Sequence, residues 1–119
     1  MPDNVSADTV REFNRGVMRL AKEPATAGVV AAFQHMHEAA STPGALDRAT
    51  KELLALGIAI ATHCEGCIAW HVTNAVKAGA SREQVLETVG VAVMMGGGPA
   101  TWYGAKAANA LDDVTGAQA

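Results

Sequence analysis

Two cysteines and one histidine stand close together in the middle of this sequence. Cys64 and Cys67 are the only cysteines of the 119-residue chain, and His71 follows four residues after the second one. On a helix, positions 64 and 67 lie about 5–6 Å apart, within the roughly 4.4–6.8 Å between Cα atoms that a disulfide tolerates. The pair could therefore open and close without moving the backbone, which indicates redox chemistry.

The expected position of the two thiols favours their reactive form. Both fall at the start of one predicted helix, and thiolates form more readily at helix N-termini and in Cys-x-x-Cys motifs. His71 lies one turn after Cys67 on the same helical face. Its imidazole could take the thiol proton and later return a proton to a leaving oxygen.

Glu52 is the carboxylate that could orient this histidine. If the helices on either side of residue 63 pack antiparallel, His71 lies about 10 Å back from the turn and Glu52 about 16 Å back, at 1.5 Å per residue. A glutamate side chain, or one water, can bridge that difference. A proton relay from Glu52 through His71 to Cys67 is therefore sterically plausible.

The elements that must position these residues are nearly all helical. We expect one all-α domain over residues 1–119 with about six helices, separated by Gly- and Pro-containing breaks. The predicted helix starts are Ser6, Pro24, Asp47, Cys64, Ser81 and Pro99. The predicted ends are near Lys22, Ala40, His63, Gly79, Gly96 and Asp113.

The composition suggests helices that pack closely and need partners. Half of the residues are hydrophobic but only 4% are aromatic, so small side chains fill little volume and we expect a homo-oligomer. A net charge of −3 gives no basic surface for nucleic acid. The longest apolar run, residues 53–62, is too short to span a bilayer.

The N-terminal residues contain no basic segment followed by an apolar one, so we expect no secretory signal and a cytoplasmic location. Thiols in that compartment are kept reduced, which makes a catalytic or metal-binding Cys-x-x-Cys pair more plausible than a structural disulfide.

Other interpretations of these residues stay open at this point. The cysteines could be small core residues, or Cys64, Cys67 and His71 could bind zinc with Glu52 or His63 as a fourth ligand. Glu52 alone could be a solvated first-turn charge. His35 and His37 differ by two positions and point to different sides of their helix, so surface or interface roles are favoured for both, with a role in a substrate pocket as the alternative.

The stretch from Lys51 to His71 resembles the core of the carboxymuconolactone decarboxylase and alkylhydroperoxidase D family. Residues 79–85 and 94–100 are similar to the next two helices of that family. The resemblance covers roughly residues 25–112, and its most specific part is the spacing Glu-x11-Cys-x2-Cys-x3-His.

The resemblance implies the chemistry of the redox branch of that family, whose members are all-helical homo-oligomers, trimers or hexamers, that reduce hydroperoxides. It implies Cys67 as the attacking thiol, Cys64 as the resolving thiol, and Glu52 and His71 as the proton relay. It also suggests an external dithiol reductant, such as a lipoyl-type one. Gly66 departs from the pattern, because the best-known alkylhydroperoxidase has a second relay histidine there.

These observations predict a peroxiredoxin-type alkyl hydroperoxide reductase in antioxidant defence, with no cofactor and no resident metal. A general thiol–disulfide oxidoreductase is the alternative enzyme. A redox-sensing oligomeric module without enzymatic activity is the other alternative.

Overall fold

The computed structural model describes residues 5–116, with side chains from Asp8 onward, and this part of the chain contains six α-helices and no strand. The all-α class expected from the sequence is confirmed. The helices are α1 (Val5–Lys22), α2 (Ala27–Ser41), α3 (Arg48–Ala61), α4 (Glu65–Lys77), α5 (Arg82–Gly96) and α6 (Gly98–Thr115).

The predicted starts of α3 and α5 are confirmed by their caps. The Asp47 carboxylate accepts a hydrogen bond from the Thr50 backbone N–H at 2.7 Å, and the hydrogen bonds from the Thr50 side chain and backbone lower the pKa of Asp47. Ser81 and Gln84 form a reciprocal capping box at the start of α5. Side-chain caps of this kind satisfy backbone donors that have no partner within the helix.

Two predicted starts differ from the structure. The described part of α1 begins at Val5, so the Ser6 backbone already lies in the helix, and the predicted cap rests on a side chain outside the described ones. Pro24 lies in a turn, and α2 begins three residues later, after Thr26.

Pro24 comes directly after Glu23, whose N–H still bonds to the Arg19 carbonyl at the end of α1. Proline has no N–H with which to continue this pattern, and it commonly follows a helix end. Pro24 therefore follows the end of α1 and does not start α2.

The helix end predicted near residue 63 falls two residues earlier. α3 ends at Ala61, and His63 has a φ of +60°, the left-handed conformation with which helices commonly terminate. Gly79 has a φ of +100° just after α4, as expected for a residue that follows a helix. The turn at His63 reverses the chain, so that α3 and α4 pack side by side.

The core lies among α3, α4, α5 and α6, with α1 packed on α4 and α2 at the edge against α1 and α3. Its largest fully buried side chains are Leu56, Ile60, Ile68, Val72, Val85 and Leu111. Alanines fill much of the remaining core, and Gly104 allows α6 to approach Val89 of α5 so closely that a Cβ would lie 2.8 Å from that side chain. This close packing positions α3 and α4, which carry the candidate site.

Large apolar side chains stay exposed on α2, α3 and α5, where a single chain offers nothing to cover them. Ile58 is 64% exposed and Val29 is 72% exposed. The set consists of Val29, Phe33, Met36, Leu54, Ile58, Leu86, Val91, Met94 and Met95. A groove of about 480 Å³ between α3 and α5 lies within this surface. Among residues 5–116, no helix has both the length and the apolarity that a bilayer crossing requires.

Phe13 of α1 packs on the first turn of α4, where Thr9 of α1 also donates a hydrogen bond to Glu65 Oε2 at 3.2 Å. A Cβ added to Gly66 would lie 2.5 Å from Cδ1 of Phe13, which is closer than two carbon atoms can approach. Only glycine therefore fits beneath this ring as packed. Phe13 also lies 6.4 Å, centroid to centroid, from Trp70 one turn farther along α4.

Gly66→Ala should lower the free energy of unfolding by about 1–3 kcal/mol, because an added methyl group in a filled contact forces neighbouring atoms to shift. Urea denaturation measures this change. In a Phe13→Ala background the same substitution should cost much less, since the two positions are in contact. Gly90→Ala is the matched control, because a Cβ there meets nothing within 4 Å. An equal loss in the free energy of unfolding for Gly66→Ala and Gly90→Ala would contradict the close contact between Phe13 and Gly66.

Candidate redox site

The two cysteines lie at the N-terminus of α4 and form a disulfide. Cys64 is the N-cap residue, and its Sγ accepts a hydrogen bond from the Cys67 backbone N–H at 3.2 Å. Their Cα atoms are 5.2 Å apart, the separation that the helical spacing predicted. The positive end of the helix dipole therefore points at the sulfurs, where it stabilises a thiolate when the disulfide opens.

Glu52 and His71 meet across the interface of α3 and α4. His71 Nδ1 lies 2.7 Å from Glu52 Oε1. The antiparallel packing of α3 and α4 therefore brings the two side chains into direct contact, without a bridging water. An ionised carboxylate can only accept, so Nδ1–H donates to it. Nε2 of the neutral ring is then left as the nitrogen that can accept a proton. His71 follows Cys67 by one helical turn.

The Glu52 carboxylate is buried, which excludes the solvated first-turn charge as its role. Glu52 is 2% exposed, although its neighbour Lys51 reaches the surface and donates to the Thr42 carbonyl. An isolated buried carboxylate is strongly unfavourable unless donors surround it. Among the described residues, no buried side-chain nitrogen or oxygen lacks a hydrogen-bond partner. Several donors must therefore converge on Glu52.

His37 supplies one of these donors, which the sequence interpretation missed. Its Nε2 lies 3.2 Å from Glu52 Oε2, and its side chain is 22% exposed. The contact with Glu52 adds a role for His37 that the sequence interpretation did not predict, whereas His35 is exposed. The partner of His37 lies on another helix, so no local pattern could reveal the contact.

Ser41 completes the cluster from the end of α2. Its hydroxyl donates to the His37 carbonyl at 2.7 Å and also lies 3.2 Å from His37 Nε2 and 3.4 Å from Glu52 Oε2. Ser41 is 4% exposed. His37 and Ser41 are four residues apart and therefore share one helical face. In the sequence, this polar pair was the signal that α2 carries an inward-facing polar site.

We call His37, Ser41, Glu52 and His71 the carboxylate cluster.

The carboxylate cluster also contains a set of groups that could hold a metal ion. One ligand atom from each of His37, Glu52 and His71 lies within 4.8 Å of the others, and two imidazoles with one carboxylate suit several divalent transition metals. In this structure Glu52 lies at hydrogen-bond distance from each of the two histidines. The zinc set suggested from the sequence differs, since it required Cys64 and Cys67 as thiolates.

Aromatic rings cover the carboxylate cluster on one side. The ring centroid of Trp70 lies 4.6 Å from that of His37 and 5.3 Å from that of His71. His63, named above as a possible fourth zinc ligand, stacks on Tyr103 of α6 with ring centroids 4.5 Å apart. The Phe13 contact leaves no room at position 66 for the second relay histidine that the resemblance would place there.

Both the sequence and the fold of this chain are similar to those of known proteins. The profile of the carboxymuconolactone decarboxylase family matches residues 27–110. An uncharacterized protein of Cupriavidus necator is 36% identical over 96 residues, which cover 81% of this chain and 83% of that protein.

Two crystal structures are similar to this fold. A carboxymuconolactone decarboxylase family protein from Legionella pneumophila, in its apo form, is 36% identical with a TM-score of 0.85, covering 92% of this chain and 96% of that one. A second family member, from Thermotoga maritima, is described with a possible involvement in an antioxidative response. It is 30% identical with a TM-score of 0.68, covering 72% of this chain and 89% of that one.

The profile match spans α2 to α6, including both cysteines and all four residues of the carboxylate cluster. Sequence and fold therefore give the same assignment. The chain belongs to the carboxymuconolactone decarboxylase family.

Proposed function

We propose that this protein is a peroxiredoxin-type alkyl hydroperoxide reductase that acts in antioxidant defence. The observation that carries the proposal is the Cys64–Cys67 disulfide at a helix N-terminus, followed one turn later by a histidine that a buried glutamate orients. The Thermotoga maritima relative is described with a possible involvement in an antioxidative response, which supports a role in antioxidant defence.

In the first step the Cys67 thiolate attacks a peroxide oxygen. A sulfur–oxygen bond forms, the oxygen–oxygen bond breaks, and the sulfur loses two electrons to become a sulfenic acid. The departing alkoxide takes a proton from the His71 imidazolium and leaves as an alcohol. Glu52 holds the His71 ring in place and stabilises its positive charge.

In the second step Cys64 resolves the sulfenic acid. The Cys64 sulfur attacks the Cys67 sulfur, the disulfide forms, and the hydroxide that departs takes up the thiol proton to become water. An external dithiol then returns two electrons and two protons through a mixed disulfide. A reducing cytoplasm would keep such a dithiol available, and we propose that location and a lipoyl-type or similar small reductant.

The carboxylate cluster favours this cycle over its alternatives. General thiol–disulfide exchange uses the same sulfurs, but its leaving group is a thiolate, which needs protonation less than an alkoxide does. A redox sensor without turnover needs no proton relay. Peroxide-dependent oxidation of a dithiol would support the peroxidase, whereas insulin reduction without peroxide would support the exchange enzyme.

The two sulfurs should differ in role. Cys67→Ser should abolish peroxide reduction, because His71 lies one turn from position 67 and farther from position 64. Cys64→Ser should allow one turnover and then stall as a sulfenic acid at Cys67, which dimedone labelling and mass spectrometry detect. Labelling of Cys64 in Cys67→Ser, with none of Cys67 in Cys64→Ser, would show that the roles are reversed.

Removal of either relay group should slow the chemical step without preventing disulfide formation by a strong oxidant. We expect His71→Ala and Glu52→Gln to lose roughly 10²–10⁴-fold in the rate of peroxide reduction, the usual span for a general acid or base. Stopped-flow peroxide reduction measures the first effect and diamide oxidation the second. His35→Ala is the control, since His35 is exposed on α2. Wild-type rates in both relay variants would contradict this assignment.

We also propose that the protein is a homo-oligomer, a trimer or hexamer. The support is the exposed apolar surface of α2, α3 and α5, which exceeds what a single chain can cover. The apolar groove between α3 and α5 is a contiguous part of that surface. Large exposed apolar patches mark interaction sites, and repeated copies of one surface assemble with closed symmetry.

Multi-angle light scattering should therefore give a mass that is a multiple of the 12.2 kDa chain. Ile58→Glu should reduce that mass, because the side chain is 64% exposed in the single chain and a charge there would be buried in the assembly. Ile58→Leu keeps the apolar character and should assemble normally. A well-folded wild-type monomer at micromolar concentration would exclude this proposal.

A further inference from the structure

We propose that Tyr103 of α6 holds Cys64 in position for disulfide closure by stacking on His63, the residue that precedes this cysteine. The inference deepens the proposed function, and it rests on that function for the separate roles of the two sulfurs. Tyr103 and His63 are positioning residues, since neither forms nor breaks a bond in the cycle. The juxtaposition that carries the proposal is a ring stack directly beside a cysteine that joins two helix ends.

Cys64 belongs to the end of α3 and to the start of α4 at once. Its backbone N–H donates to the Ala59 carbonyl at 3.1 Å. The His63 N–H donates to the Ile60 carbonyl at 3.3 Å. These two bonds close α3 in the way that is usual when the residue after the C-cap is left-handed. Cys64 is also the N-cap of α4, so the His63 backbone sets where Cys64 lies relative to Cys67.

α4 ends in the same way, but with a glycine in the left-handed position. Gly79 has a φ of +100°. Its N–H donates to the Val76 carbonyl at 3.0 Å, and the Ala80 N–H donates to the Ala75 carbonyl at 2.9 Å. Glycine is the residue that this conformation favours, whereas His63 at a φ of +60° keeps a side chain there. The contacts of the His63 ring therefore distinguish this turn from the one after α4.

The His63 ring stacks on the ring of Tyr103. The two ring planes differ by 4° and their centroids lie 4.5 Å apart, an offset parallel arrangement that aromatic rings favour. Tyr103 packs against the buried core, and the next residue, Gly104, lets α6 approach α5 closely. The stack therefore connects an exposed turn residue to a helix that is seated in the core.

The residue that follows Cys64 is also contacted by α6. Lys106 Nζ lies 3.5 Å from Glu65 Oε1, and Lys106 comes three residues after Tyr103, on the same face of α6. α6 thus contacts both chain neighbours of Cys64. An ion pair whose carboxylate is 41% exposed stabilises little, so the ring stack carries the proposal.

Fast closure matters because the sulfenic acid of Cys67 has two fates. Attack by the Cys64 sulfur gives the disulfide and water. Attack by the Cys67 sulfur on a second hydroperoxide forms another sulfur–oxygen bond, breaks the oxygen–oxygen bond and releases an alcohol, which leaves an irreversible sulfinic acid. A thiol held in the right geometry reacts as if it were highly concentrated. The stack therefore favours the disulfide over the sulfinic acid.

The thiol–disulfide equilibrium tests this positioning without any peroxide. His63→Asn accepts the left-handed conformation but lacks the ring, so the turn should form while Cys64 becomes less restricted in the dithiol state. We expect the equilibrium constant for closing the Cys64–Cys67 disulfide, measured against glutathione mixtures, to fall about tenfold. That change raises the midpoint potential by about 30 mV.

Variants of Tyr103 supply the controls for this measurement. Tyr103→Leu removes the stacking partner and should give the same shift as His63→Asn, and the double variant should shift no further, because both changes remove one contact. Tyr103→Phe keeps the ring and should match the wild type. Circular dichroism checks that each variant is folded. A wild-type potential in His63→Asn and Tyr103→Leu, or equal shifts in Tyr103→Phe and Tyr103→Leu, would overturn the proposal.

Excess hydroperoxide gives a second measurement of the same positioning. In His63→Asn, mass spectrometry should detect the sulfinic acid of Cys67 at about tenfold lower peroxide concentration than in the wild type, whereas Tyr103→Phe should resist as the wild type does. Unchanged sensitivity of His63→Asn in a working peroxidase would show that the stack does not speed closure. A shifted potential in a protein that reduces no peroxide would instead support the positioning and refute the proposed peroxidase alone.

Discussion

The buried carboxylate of Glu52 is the interaction on which the rest of the site depends. A carboxylate that is 2% exposed between packed helices must be surrounded by donors, and two other helices provide them. His37 and Ser41 come from α2, and His71 comes from α4. α2 otherwise packs only at the edge of the fold, so the cluster both orients the His71 ring and fixes this outer helix against α3.

The second constraint is the close packing of small residues around the start of α4. The disulfide caps that helix and the Phe13 ring covers its first turn at Gly66. The sulfurs are therefore held by a packed frame at a helix N-terminus. Position 66, between the two cysteines, is occupied by a helix–helix contact and has no room for a larger side chain.

The parts of this structure that the sequence could predict are those governed by local rules. Asp47 and Ser81 cap helices because their side chains reach backbone donors three residues on, and the approach of Glu52 to His71 follows from helical rise across one short turn. The contact of His37 with Glu52 depends on how α2 docks, which no spacing within α2 specifies. The Phe13 contact with Gly66 is equally a tertiary event. α2 begins at Ala27, three residues after Pro24, because the hydrogen bonding at the end of α1 extends to Glu23. The preference of proline for the first turn of a helix does not indicate where the preceding helix ends.

A single-turnover titration of the reduced protein tests the central claim most directly. Peroxide is added in substoichiometric amounts, and the peroxide consumed is compared with the free thiols that remain on Cys64 and Cys67. The account predicts that each peroxide removes two thiols from one chain and leaves the Cys64–Cys67 disulfide, which an added dithiol then reopens. Peroxide that persists while both thiols remain free, or a disulfide that forms only with a disulfide substrate, would contradict it.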